Sequence, residues 1–120
     1  MSYMLLILEE HGDRQKRGLE QGRVAYDRML QFAEGLNTRG LLKTTAALKS
    51  DNEGVRLSVR NGKAMTLDGP FAESKEMIGG FFLLNCDTME EALAIARQCP
   101  AAEWATVEVR EIGTCYDGVV

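Results

Sequence analysis

The chain has 120 residues, 45% of them apolar and 27% charged, with twelve Gly, two Pro and three Cys, the profile of one ordinary globular domain. Fourteen Lys and Arg against eighteen Asp and Glu leave a net charge of −4, which disfavours nucleic acid or an anionic membrane surface as a direct partner. No run approaches the roughly 18 apolar residues of a membrane span, no basic segment leads into an apolar one as in a secretory leader, and no tract is biased enough for disorder. The expectation is a cytoplasmic domain large enough to build a core without disulfide or metal staples.

Tyr3-Met4-Leu5-Leu6-Ile7-Leu8 is a continuous apolar run that stops at Glu9, Glu10 and His11, as a central strand covered on both faces would. Beyond the polar stretch from Gly12 to Gly18, Leu19, Tyr26, Met29, Leu30, Ala33 and Leu36 recur at three- and four-residue steps, with Arg23, Asp27, Gln31 and Glu34 opposite them. That spacing predicts a long amphipathic helix. Gly18 and Gly22 each weaken a helix interior by about 1 kcal/mol relative to Ala, which leaves the first turns open to being loop, and Gly40 is the stop.

Leu41 to Lys49 reads as a second strand on Thr44 and Thr45, although Ala46-Ala47-Leu48 also suits a helix. Ser50 to Gly54 is turn chemistry. Val55 to Arg60 then alternates up to Asn61-Gly62, a strong hairpin signal, and Lys63 to Asp68 is the return strand. A two-residue turn would set Arg60 opposite Lys63 and put Asp68 on the face of Val55, Leu57 and Val59. A three-residue loop with Gly62 left-handed aligns those three with Leu67, Met65 and Lys63 instead, and is the register expected here for its cleaner apolar face.

Gly79 to Cys86 is a second strand apolar on both faces. Thr88, with Glu91 three residues on, then caps a helix whose stripe is Met89, Ala92, Leu93, Ala96 and Cys99, and Pro100 ends it. Thr106 to Arg110 alternates as an edge strand, so the domain is taken as 1–112 and 113–120 as a tail. The order is βαββαβ with an inserted hairpin, an α+β fold of the ferredoxin-like type. Its first and third sheet strands are central, and those are the two continuously apolar ones. Two helices cover one face of such a sheet, yet Leu5 and Ile7 point away from Leu6 and Leu8, as Phe82 and Leu84 do from Phe81 and Leu83. The second face needs a cover, and a sheet-to-sheet homodimer supplies it.

Cys86, Cys99 and Cys115 are odd in number, widely spaced and form no C-x-x-C, which suggests reduced thiols rather than a disulfide framework or a zinc site. The Asp68-Gly69-Pro70 step is turn chemistry, in which the carboxylate accepts a backbone N–H two or three residues on. Alternatively the loop carries Asp68, Glu73, Lys75 and Glu76 to the rim of an interfacial cleft, where desolvation and Lys75 would tune Asp68 as a general base. His11, after Glu9 and Glu10, is an exposed loop residue, an acid/base group beside a ligand or, with Glu9, part of a metal site. Phe71 and Trp104 line a cleft or simply pack. With one His, no metal site is expected. Gly69, Gly79 and Gly80 lack phosphate-loop spacing, so no cofactor is expected. The candidate set is Asp68, His11 and Lys75 for catalysis, with Glu9, Phe71 and Glu73 for ligand binding.

Asp68-Gly69-Pro70-Phe71-Ala72-Glu73-Ser74-Lys75-Glu76 resembles the DGPF branch of the YCII-related family, whose signature DGPFAETKE differs here only by Ser74 for Thr. The resemblance extends to Tyr3-Met4-Leu5-Leu6, Arg60-Asn61-Gly62-Lys63, Gly79-Gly80-Phe81, Glu91-Ala92-Leu93 and Val107-Glu108-Val109-Arg110, nearly the whole chain. It implies a dimeric α+β barrel, small-molecule enzymes proposed to use a His on the first helix with an acidic partner, and an association of DGPF members with alternative sigma factors. This chain departs from that dyad: its first helix has no His, and the Asp-Pro step after the second helix reads Cys99-Pro100. A homodimeric small-ligand-binding or regulatory module, with a sigma factor as candidate partner, is therefore expected first. An acid/base enzyme with its cleft near the DGPF loop is the alternative.

Overall fold

In the computed structural model, which describes residues 2–71 and 73–116, the N-terminal apolar run forms strand β1 (Tyr3–Glu10) with two unequal faces. Tyr3, Leu5, Ile7 and Glu9 are buried, whereas Met4, Leu6 and Leu8 are only half-buried. Helix α1 (Asp13–Thr38) and strand β2 (Leu42–Ala47) follow, then a 3₁₀ turn at Asp51–Glu53 and the hairpin β3 (Val55–Arg60) and β4 (Lys63–Asp68). Strand β5 (Glu76–Leu84), helix α2 (Met89–Gln98), a 3₁₀ turn at Pro100–Glu103 and strand β6 (Thr106–Glu111) complete the order. The main sheet runs β2-β5-β1-β6, antiparallel throughout. This is the expected ferredoxin-like α+β fold, with the two continuously apolar strands at its centre.

Helix α1 begins at Asp13, ahead of the apolar periodicity, and breaks at Gly18, whose φ of 78° and ψ of 174° no helix contains. A positive φ of this kind is where glycine replaces any L side chain. Beyond the break the helix runs to a stop at Gly40, itself left-handed at φ 71°. Only its C-terminal half is seated: Leu36 is fully buried, and Met29, Phe32 and Ala33 pack against the core. Phe32 meets Phe82 edge to face at 5.3 Å. The other half of the predicted stripe stays open, with Leu19 74% exposed and Tyr26 53%. On α2, the Thr88 hydroxyl accepts the Glu91 N–H at 3.1 Å, the cap expected from the sequence. Ala92, Ile95 and Ala96 meet Leu5, Leu84 and Cys99 in the core.

The hairpin takes the two-residue turn, not the three-residue loop expected above. Arg60 pairs with Lys63 and Val55 with Asp68, because Asn61 adopts φ 52° beside Gly62 at 76°, the paired positive angles of a type I′ turn. The physical reason is burial. Leu57 is 65% exposed and Met65 58%, so neither face of the ribbon packs on the chain's own core and local turn chemistry decides the register.

The outline is a slab of 48 × 47 × 19 Å with a Cα radius of gyration of 16.3 Å, against about 14 Å for a compact chain of this length. Among the described residues no helix is long and apolar enough to cross a membrane. Of the expected tail, 113–116 form no regular element and 117–120 lie outside the described residues.

Candidate functional site

Strand alternation carries Glu9 onto the core face behind Tyr3, Leu5 and Ile7, where the residue is 6% exposed. A carboxylate in that position needs a partner, and Arg14 on the first turns of α1 supplies it. Arg14 Nε donates to Glu9 Oε1 at 2.9 Å and Nη2 to Oε2 at 2.6 Å, a two-pronged pair. Arg14 Nη1 also donates to the Leu48 carbonyl at 2.9 Å, so one guanidinium ties α1, β1 and the end of β2 together. Its hydrogen bonds to Glu9 hold the guanidinium above its usual range, against the opposing pull of burial.

Space for this pair comes from β5. Ile7 pairs with Gly80 and Leu8 with Ile78, which leaves Gly79 as the extra residue of a β-bulge. A Cβ added to Gly79 would stand 1.6 Å from Glu9 Oε2, and one on Gly80 would stand 2.8 Å from the Ala46 carbonyl oxygen. Both glycines leave the sheet bare where a side chain would otherwise fill the space beneath the helix.

That space is a cleft of about 1040 Å³ between α1 and the sheet. Ile7, Thr45, Ala47, Gly80 and Phe82 line its sheet side; Leu19, Gly22, Tyr26, Met29 and Leu30 line its helix side. Glu9, Arg14, Arg17 and Trp104 also face it. The walls are mainly apolar, with charge supplied by Arg14, Arg17, Arg23, Lys49, Glu9 and Asp27, the make-up of a small-molecule site.

A second cluster lies at the end of β1. His11 Nε2 is 3.1 Å from Asp51 Oδ2, but it is buried and makes no hydrogen bond among the described residues. The His11 backbone N–H donates to the Lys75 carbonyl at 3.2 Å, and the Gly69 N–H to the Gly54 carbonyl at 2.8 Å. Any Cβ on Gly69 would stand 1.8 Å from the Asp51 carbonyl oxygen. Phe71 is buried, with the Arg56 guanidinium 3.8 Å over its ring. In this way the Gly69 and Phe71 positions clasp the turn that presents Asp51 to His11.

Of the residues singled out from the sequence, Glu9 lines the cleft and His11 lies two residues beyond it. Asp68, Glu73 and Lys75 are exposed and do not line it. The Asp68 carboxylate makes no hydrogen bond or ion pair among the described residues, so the turn bond expected of it is not formed. Ala72, within the same motif, lies outside the described residues. No group of three or more His, Cys, Asp or Glu converges as a metal site among the described residues. Sequence reasoning missed Arg14 and Asp51, whose partners are brought to them by the fold.

The fold and the signature loop define an α+β domain of a recognisable kind, and a family model for the YCII-related domain matches residues 1–114. The chain belongs to that family. It is 37% identical over 81 residues to an uncharacterised protein of Rhizobium meliloti (strain 1021), an alignment covering 66% of this chain and 65% of the relative's length. The backbone is similar to that of 5-chloro-2-hydroxyhydroquinone dehydrochlorinase from Burkholderia phenoliruptrix AC1100, solved in complex with 2,5-dihydroxybenzoquinone. The TM-score is 0.55 at 16% identity, over 94% of each chain, a likeness of fold.

Proposed function

We propose that this YCII-related chain is a small-ligand-binding domain that works as a homodimer and receives its ligand in the cleft between α1 and the sheet. The observation that carries the reading is the cleft itself, an apolar chamber kept open by Gly79 and Gly80 and closed at one point by the Glu9–Arg14 pair. A neighbour of the same fold holds a small cyclic molecule, which supports a ligand of that size. Homodimerisation is supported by Met4, Leu6, Leu8, Phe81 and Leu83, half-buried on the sheet face that no helix covers. A sigma-factor partner enters no step of this reading.

A second reading, acid/base catalysis, is favoured by one observation, the His11–Asp51 pair. An imidazole set beside a carboxylate is the usual arrangement of a general base. It shifts the chemistry from Asp68 and Lys75 to His11, with Asp51 in the acidic role.

Both readings are tested by a fragment screen followed by amide NMR. Binding should perturb Gly22, Tyr26 and Gly80 together with the Trp104 indole; perturbations confined to the Asp68–Glu76 loop would overturn the cleft assignment. Chemical conversion of any bound fragment, lost in His11→Asn while binding persists, would move the conclusion to the enzyme.

A further inference from the structure

Two cations of the cleft wall, Arg17 and Arg23, meet no acidic partner among the described residues, and of these only Arg17 is half-buried. Arg14 is saturated by Glu9 and the Leu48 carbonyl. Arg28 is held by Glu103 in a two-pronged pair at 3.1 and 2.6 Å, and Lys49 has Glu53 at 3.7 Å. Arg23 also lines the cleft but is exposed, so solvent screens its charge. Arg17 is half-buried in the cleft wall, and among the described residues no carboxylate or hydrogen-bond acceptor meets its guanidinium. It faces the Trp104 ring instead, whose centroid lies 5.5 Å from the Arg17 Cζ. Arg28 stands at the same 5.5 Å from that ring. One indole thus holds two guanidiniums by cation–π attraction, one neutralised by Glu103 and one not. Glu9 cannot supply the missing anion, since both its oxygens are engaged by Arg14.

We infer that the ligand supplies it: the cleft binds a planar aromatic acid whose carboxylate pairs with Arg17. This rests on the ligand-binding reading above and adds the chemistry of the ligand. A planar fork of N–H donors matches the two oxygens of a carboxylate. The cation–π contact with Trp104 restrains the Arg17 side chain before the ligand arrives, which lowers the entropy lost on binding. Elsewhere in the cleft wall, Tyr26, Leu30 and Phe82 offer flat or apolar surface for a ring. Arg17 is thereby a specificity-determining residue.

Trp104 is the chain's single tryptophan, so its fluorescence reports on the site directly. The intact protein is titrated with benzoate and 1-naphthoate and, in parallel, with benzamide and 1-naphthamide, which keep the ring and lose the charge. The acids are expected to bind about tenfold or more tighter than the amides, the usual worth of a hydrogen bond to a charged group. Arg17→Gln should bring acid and amide together, Arg17→Lys should retain part of the preference, and Arg97→Gln, at an exposed arginine of α2 that does not line the cleft, should leave it intact. Circular dichroism melts establish that each variant is folded; if Arg17→Gln is not, the ratio in Arg17→Lys decides. Equal affinity for acids and amides in the wild-type protein, or a preference that survives in Arg17→Gln, overturns the inference. Neutral fragments that bind in the cleft with no charge preference defeat this inference alone, whereas no binding by either class defeats the ligand-binding reading with it.

Discussion

Glu9 shows how one residue's environment is decided by its strand and by two other residues. Its carboxylate is buried because strand period places it there, neutralised because Arg14 reaches it from the first turns of α1, and accommodated because Gly79 has no side chain. Replacing Glu9 by Gln strands the Arg14 guanidinium, and a pair broken in this way costs about 2 kcal/mol once the partial exposure of Arg14 is allowed for. A chemical denaturation midpoint lowered accordingly, with Gly79→Ala at least as damaging, is the expected result. Glu9 and His11 could be picked out in the sequence as polar residues ending a central strand. Arg14 and Asp51 could not, because their roles depend on contacts made across strand, helix and turn. The charged members of the 68–76 motif drew attention in the sequence, yet Gly69 and Phe71 make its packing contacts while Asp68 and Lys75 are exposed.

At the scale of elements, periodicity located both helices and the strands of the sheet because part of each apolar face packs, Leu36 on α1 and Ala92 and Ala96 on α2, whereas Leu19, Met89 and Leu93 of the expected stripes are exposed. Two features escaped it. The hairpin register was misjudged because matching of apolar faces carries no weight on a ribbon exposed on both sides, where Asn61 and Gly62 alone set the turn. The break in α1 was visible only as an awkward glycine, and its effect is to let the first turns follow β1 while the remainder roofs the cleft. Gly18→Ala tests this: an L side chain at φ 78° is strained by about 1 kcal/mol or more, which should lower the melting temperature by about 5 °C. Binding of 1-naphthoate should weaken as well, because Arg17 adjoins the break. An unchanged melt and affinity would mean that the helix tolerates the angle without using it.

For the whole molecule, thinness is the governing fact. A slab 19 Å deep has one helix layer and one sheet, so about half of the sheet's side chains lack a second layer. The apolar pattern of the two central strands made this legible in the sequence, as the need for a cover. The proposed pairing of two slabs would make stability depend on protein concentration: the melting temperature should rise with concentration, and Leu6→Asp should yield a monomer by light scattering whose melt no longer depends on it. The sheet order has a different consequence, for synthesis. Strand β1 emerges first but sits between β5 and β6, which emerge last, so the N-terminal strand waits unpaired while some seventy residues are added. Closure over so long a separation is slow, and during the wait the most apolar strand of the protein is exposed to neighbouring chains. Helix α1 and the β3–β4 ribbon, whose contacts are local, can form in that interval; the sheet, and with it the site of Glu9, cannot exist until Leu84 has been made.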